Sequence, residues 1–147
     1  KSKQDVLIKD AKQLAEIFYP RLRDAKKEAF WLVLLDGKNK IKDEIELTKG
    51  TVNEVSTYVR EILMTAMRGA AASFAIIHNH PSGNPEPSDY DKQLTRELVF
   101  AGQALKMKVQ DHLIIGDDRY YSFAEQNQIK KLEKQWQQYI HMESDGG

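Results

Sequence analysis

The chain has no cysteine in its 147 residues. That excludes disulfides and any zinc site built on thiolates. It has no long apolar run either: nothing approaches the ~20 residues of a membrane-spanning helix, so no membrane partner is expected. Net charge is missing too, with Lys plus Arg at 22 and Asp plus Glu at 22. With no basic run and no aromatics set between basic residues, there is no electrostatic footprint for nucleic acid, and strong direct binding to it is not expected. Internal repeats and low-complexity segments are absent. The chain starts at Lys1 rather than Met, and nothing resembles a signal peptide. These absences leave one compact domain, long enough to bury a core. We expect it to be cytoplasmic and cut from a longer protein.

Apolar periodicity then orders the elements. Leu7, Ala11, Leu14, Ala15, Phe18 and Leu22 recur at helical spacing, which predicts an amphipathic helix that Pro20 terminates. Phe30-Trp31-Leu32-Val33-Leu34-Leu35 is a short continuous apolar run, closed by the turn cluster Asp36-Gly37-Lys38-Asn39. It reads as a strand buried on both faces. Ile41, Ile45 and Leu47 support a second strand, hairpin-paired to the first and ending at Gly50. Val55, Val59, Ile62, Leu63, Ala66 and Met67 form a helix stripe that Gly69 stops.

Ser73-Phe74-Ala75-Ile76-Ile77 is a further buried strand. Tyr90, Leu94, Leu98, Ala101 and Leu105 mark a helix starting at Asp91. Val109 to Ile115 and Tyr120 to Phe123 read as two strands joined by Gly116-Asp117-Asp118-Arg119. Ile129, Leu132, Trp136 and Ile140 give a weaker stripe in a polar C-terminal helix. Trp136 packs there on its own domain or, in a homodimer, on a second copy. Ser144 to Gly147 should be disordered. The order α-β-β-α-β-α-β-β-α is that of a mixed α/β layer fold.

The chemistry is concentrated in His78-Asn79-His80-Pro81-Ser82-Gly83-Asn84-Pro85-Glu86-Pro87-Ser88-Asp89-Tyr90-Asp91. Histidines at i and i+2 point to one side of an extended backbone. Beyond a proline- and glycine-rich loop comes Asp91, a hard oxygen ligand. Two imidazoles and one carboxylate make a common catalytic zinc set, with a fourth position open for water. Ser88-x-x-Asp91 ahead of an apolar stripe also reads as a capping box, and the two roles are compatible because a first-turn carboxylate can face a metal. The contiguous His-Asn-His string is not the HNH nuclease motif, whose letters are dispersed along a ββα-metal unit.

The spacing His-x-His-x7-Ser-x2-Asp resembles the JAMM motif of MPN-type metalloproteases. From Lys26 to Phe123 the chain is similar to the RadC family, the bacterial branch of JAMM proteins. The resemblance rests on Glu28-Ala29-Phe30, Lys49-Gly50-Thr51, Arg60-Glu61-Ile62, His78 to Gly83, Pro87-Ser88, Asp111-His112-Leu113-Ile114-Ile115-Gly116 and Tyr121-Ser122-Phe123. It implies a mixed-sheet MPN fold (JAB/JAMM-like, cytidine-deaminase-like) in a single domain. Residues 1–25 would be an N-terminal helix, 26–124 the catalytic domain, and 125–147 a C-terminal helix with its tail. The helix-hairpin-helix segment that usually precedes this domain in RadC proteins does not occur in these residues, which further lowers the expectation of DNA binding.

The resemblance also implies an upstream glutamate that takes the proton of an activated water. Candidates are Glu28, Glu44, Glu46, Glu54 and Glu61. Glu44 and Glu46 have the profile of a solvated strand face, and Glu61 that of a residue anchoring its helix. Glu28 precedes the buried strand, where JAMM proteins place their glutamate, and a partly desolvated carboxylate suits a proton shuttle. Ser88 would support the oxyanion. Asn79, Ser82 and His112 are candidates for supporting contacts, with His112 read as a structural hydrogen bond at a strand start rather than a ligand.

The expected function is a Zn2+-dependent hydrolase of peptide, isopeptide or related amide bonds, with zinc on His78, His80 and Asp91 and a peptide or protein-conjugate substrate. The alternative is a DNA repair or recombination accessory of RadC type without strong intrinsic DNA binding. A third reading, a catalytically silent scaffold, has no use for an intact ligand set.

Overall fold

The computed structural model describes residues 6–47 and 54–146. Its first helix, α1 (Ala11–Leu22), is opened by Asp10, whose side chain accepts the N–H of Gln13 at 2.8 Å. Leu7 lies outside it, in an isolated bridge to Lys40. Pro20 does not end the helix as expected. It sits inside the last turn, which closes when Arg23 N–H donates to Tyr19 at 3.0 Å. Phe18 and Leu22 are buried on either side of it, so packing holds a turn in which proline costs a single hydrogen bond.

Strands β1 (Phe30–Leu35) and β2 (Ile41–Leu47) form the expected antiparallel hairpin, with Asn39 supplying a left-handed turn residue at φ 63°. The end expected at Gly50 lies outside the described residues. Helix α2 (Val55–Arg68) finishes at Gly69, although Ala70 takes the left-handed conformation there. Gly69 is needed for space: a Cβ on it would come within 2.3 Å of Leu34 Cδ1.

Next come β3 (Ser73–Asn79), α3 (Asp89–Ala104), β4 (Lys108–Ile115), β5 (Tyr120–Ser122) and α4 (Gln128–Gly146). Ser144 to Gly146 therefore continue the last helix instead of forming the expected disordered tail, while Gly147 lies outside the described residues. No proline or glycine interrupts α4 before Gly146, and Trp136 anchors it on Phe100 of α3, with ring centroids 5.6 Å apart. The element order matches the sequence reading. The fold is a single mixed α/β domain, consistent with the MPN fold that the resemblance implies. Among the described residues no helix is long and apolar enough to cross a membrane.

The five strands form one sheet in the order β2-β1-β3-β4-β5, antiparallel except for the central β3–β4 pair. Alternation sends Phe30, Leu32, Leu34, Phe74 and Ile76 to the face covered by α2 and α3, and Val33, Leu35, Ala75 and Ile77 to the face covered by α1. The parallel β3-α3-β4 unit fixes the site. It sets the C-terminal end of β3 against the first turn of α3, with β4 alongside.

Candidate metal centre

The alternation of β3 carries past its apolar part. His78 continues the Phe74–Ile76 face and is fully buried, and its ring stacks on Phe30 with centroids 4.3 Å apart and planes 6° from parallel. His80 lies just beyond the strand, held by its N–H donating to Ile115 of β4 at 3.0 Å. The chain then turns through Gly83, whose φ of +89° suits glycine and where a Cβ would strike the Asp117 carboxylate. Ser82 is exposed and its hydroxyl accepts the N–H of Asn84 at 3.3 Å, so it shapes this loop rather than the cluster.

Ser88 caps α3 with both halves of the capping box formed. Its Oγ accepts the N–H of Asp91 at 3.1 Å, and its own N–H donates to Asp91 Oδ2 at 3.0 Å. The cap uses only the acceptor side of an exposed hydroxyl, leaving its hydrogen available as a donor. The capping contacts of Asp91 and its approach to the two histidines therefore coexist in one side chain.

Three side chains converge. His78 Nε2 and His80 Nε2 are 3.3 Å apart, His78 Nε2 is 3.3 Å from Asp91 Oδ1, and His80 Nε2 is 2.9 Å from Asp91 Oδ2. Donors about 2.0–2.1 Å from a tetrahedral zinc stand roughly 3.3 Å from one another. The contacts are close to that spacing, and these three side chains form a group that could hold such an ion. Burial works to raise the Asp91 pKa, but the hydrogen bond and charge of His78 and then the N–H of Ser88 outweigh it. The carboxyl ends well below its ordinary range, so it offers a charge to a cation.

Glu28 is the upstream glutamate brought to this cluster. Its Oε1 lies 3.7 Å from His78 Nε2, and its side chain is 33% exposed. Asn79, on the opposite face of β3 from His78, holds Glu28 there: its Oδ1 accepts the N–H of Ala29 at 2.7 Å and its Nδ2 donates to the Lys27 carbonyl at 3.0 Å. The segment bearing Glu28 is thereby tied to the histidine strand. Glu44 pairs instead with Arg21 of α1, while Glu46, Glu54 and Glu61 are exposed, the last with its backbone carbonyl bonded by Thr65. Tyr58 packs edge-on against Phe30 on the Glu28 side, its phenol pKa raised by burial and then by Tyr90, Glu28 and Glu61.

His112 is not at a strand start but inside β4, fully buried, its Nε2 3.0 Å from His78 Nδ1. It stands behind the cluster and touches His78, as a candidate for a supporting contact would, although not at a strand start. Thr95, one helical turn past Asp91, was missed entirely. Its Oγ1 lies 2.6 Å from His112 Nδ1. The available signal was a hydroxyl on the buried stripe of α3.

Residues 8–129 match the family model described as a RadC-like JAB domain. The chain is similar to a UPF0758 protein of Trichlorobacter lovleyi, 46% identical over 113 residues that make up 77% of this chain and 49% of that one. It is similar also to a UPF0758 protein of Geotalea uraniireducens, 41% identical over 117 residues, 80% of this chain and 51% of the relative. A UPF0758 protein of Methanosarcina mazei is 38% identical over 123 residues, 84% of this chain and 54% of the relative. The chain spans about half the length of the curated relatives it matches.

Proposed function

The chain belongs to the family of RadC-like JAB domains, and from that footing we propose that it is a zinc-dependent hydrolase of peptide, isopeptide or related amide bonds. The observation that carries this reading is the convergence of His78, His80 and Asp91, with the two Nε2 atoms 3.3 Å apart and Asp91 oxygens 3.3 and 2.9 Å from them, while a partly exposed carboxylate stands beside the cluster. Bound zinc would act as a Lewis acid on the substrate carbonyl and lower the pKa of a water.

The remaining tasks fall to side chains of this chain. Glu28 accepts the proton of the attacking water at its carboxylate and passes it to the leaving nitrogen. Its exposure gives water and substrate access, and the Asn79 clasp fixes its distance from His78. Ser88 donates its unused hydroxyl hydrogen to the oxygen that gains charge in the tetrahedral transition state. A peptide or a protein conjugate is the proposed substrate class.

Metal content and cleavage test this together. The protein, stripped and then reconstituted, should hold one zinc per chain and cut members of a broad peptide library. The His78→Ala, His80→Ala double variant should do neither. Unchanged metal content in that variant would sink the proposal. A mobility-shift titration separates it from the accessory-module alternative: duplex DNA should bind no tighter than the non-specific range of about 10⁻⁴–10⁻⁶ M at physiological salt, and nanomolar binding would favour the alternative.

A further inference from the structure

We propose that Thr95 and His112 are positioning residues that keep the Nδ1 hydrogen of His78 committed to His112, so that Nε2, facing Asp91 and His80, is the ring nitrogen left to a cation. The purpose of the lock rests on the zinc reading above, but the assignment of hydrogens stands on the protein's own hydrogen bonds.

The direction of each bond follows from one atom that can only accept. The Thr95 hydroxyl has a single hydrogen and two neighbours, the Asp91 backbone carbonyl at 2.8 Å and His112 Nδ1 at 2.6 Å. A carbonyl oxygen cannot donate, so the hydroxyl hydrogen goes to Asp91 and Oγ1 is left to accept. His112 therefore carries its hydrogen on Nδ1. Its ring is fully buried, and its hydrogen-bond partners among the described residues are a hydroxyl and another imidazole, not a carboxylate. An imidazolium in that place would be a buried charge with no bonded counter-ion, so the ring is neutral. Nε2 of His112 then holds a lone pair, and the group facing it at 3.0 Å is His78 Nδ1, which must donate. With Nδ1 committed in this way, Nε2 is the nitrogen that shares a hydrogen with Asp91, 3.3 Å away, and can give it up to a cation.

The path closes on itself. Asp91 starts it with its backbone carbonyl, and its carboxylate meets His78 Nε2 at the other end, 3.3 Å away. Two of the three donors thus hold each other through Thr95 and His112. Ring planes are fixed by stacking, His78 on Phe30 and His112 on Phe123, the latter at 4.8 Å and 12°. His80 is oriented by a separate route, its Nδ1 donating to the Asn84 carbonyl at 2.9 Å. Outer contacts of this kind orient ligating histidines and raise their basicity.

Nitrogen-15 labelling of the histidines, read in long-range proton–nitrogen correlation spectra of the metal-free protein near neutral pH, tests the lock directly. His112 should show the Nδ1–H pattern and His78 should carry a hydrogen on Nδ1; a hydrogen on Nε2 of His112, none on Nδ1 of His78, or averaged signals at His112 would overturn it. Zinc affinity, measured by competition with a chelating dye, supplies the second reading. Thr95→Val keeps the size but removes the hydroxyl, and should lose the fixed tautomer together with about 10–100-fold in affinity. Thr95→Ser restores the hydroxyl and should restore both. A Thr95→Val protein with tautomer and affinity unchanged would overturn the proposal. Should the unaltered protein take up no zinc while its rings keep the Nδ1–H pattern, the lock is supported and the hydrolase reading fails by itself.

Discussion

Asp91 and Asp111 are both buried, 2% and 5% exposed, and both accept main-chain N–H groups, yet the protein drives them in opposite directions. Burial raises both. Around Asp91, His78 and then the Ser88 N–H reverse that effect and hold the carboxyl well below its ordinary range. Around Asp111, the hydroxyl of Ser122 and the N–H groups of Ala124 and His112 lower it without overcoming burial, and the charge of Glu125 adds to the rise, so it settles at about 6. Asp111 is thus the better hydrogen-bonded carboxylate and the less acidic one. The neutral donors around Asp111 do not offset its burial, whereas His78 and the Ser88 N–H more than offset that of Asp91. The two regions differ in purpose accordingly. Asp111 clasps β4 to the turn after β5, with its bonding filled by its own neighbours. Asp91 keeps its charge beside two imidazole nitrogens, an arrangement that a cation completes.

The largest expected effect comes from making Asp91 resemble a neutral group. Asp91→Asn retains a carbonyl oxygen for the Ser88 N–H, so α3 should stay capped, but an amide is a poor zinc ligand. Zinc affinity should fall by more than the ~10–100-fold that outer contacts are worth, measured by dye competition. Asp111→Asn should leave zinc content at one per chain. Equal loss of zinc in both variants would erase the distinction drawn between the two carboxylates.

Next in size is Glu28. Glu28→Gln keeps size and hydrogen bonding but cannot accept a proton, so turnover should drop by roughly 10²–10⁴-fold with zinc still bound. Glu61→Gln, on the exposed side of α2, should affect stability more than chemistry. Full activity in Glu28→Gln, together with abolished activity and intact zinc in Glu61→Gln, would move the base to Glu61.

What was legible in the sequence followed the locality of the physics. The His78, His80 and Asp91 set could be read because ligand type and strand alternation lie within one loop-spanning segment. The choice of Glu28 held to the extent that the structure brings its carboxylate near His78, and Asn79 explains how. Pro20 misled because the helix ends two residues later in any case, with Phe18 and Leu22 packed around it. The tail misled because a polar sequence was equated with disorder, although nothing in it breaks a helix already anchored by Trp136. Thr95 and the contact of His112 with His78 could not be read. Their meaning depends on α3 and β4 meeting, and a threonine on a buried stripe looks the same whether it packs or relays a hydrogen bond.

The smallest effect is also the one that isolates Asp111. Its carboxyl has an ordinary value of 3.8 and sits at about 6 in the folded protein. Between those values the folded chain holds a proton that the unfolded chain has released. Stability must therefore fall as pH rises through that window, and its extra contribution is fully present only below the lower value. Asp91 has the opposite sign: its contribution is present above the ordinary value and is lost only at more acid pH, so it is flat across the same range. Asn at position 111 can still accept from His112 and Ala124 through Oδ1, and its amide can donate to Ser122 Oγ, which already accepts the N–H of Glu125 at 3.0 Å. Urea denaturation of the metal-free protein at several pH values between 4 and 6.5 checks this. The unaltered chain should lose on the order of 2–3 kcal/mol relative to Asp111→Asn, because binding one extra proton is worth about 1.36 kcal/mol for each pH unit crossed. Stability curves that run parallel across that range would show that Asp111 does not hold its proton, and the contrast with Asp91 would then lose its second half.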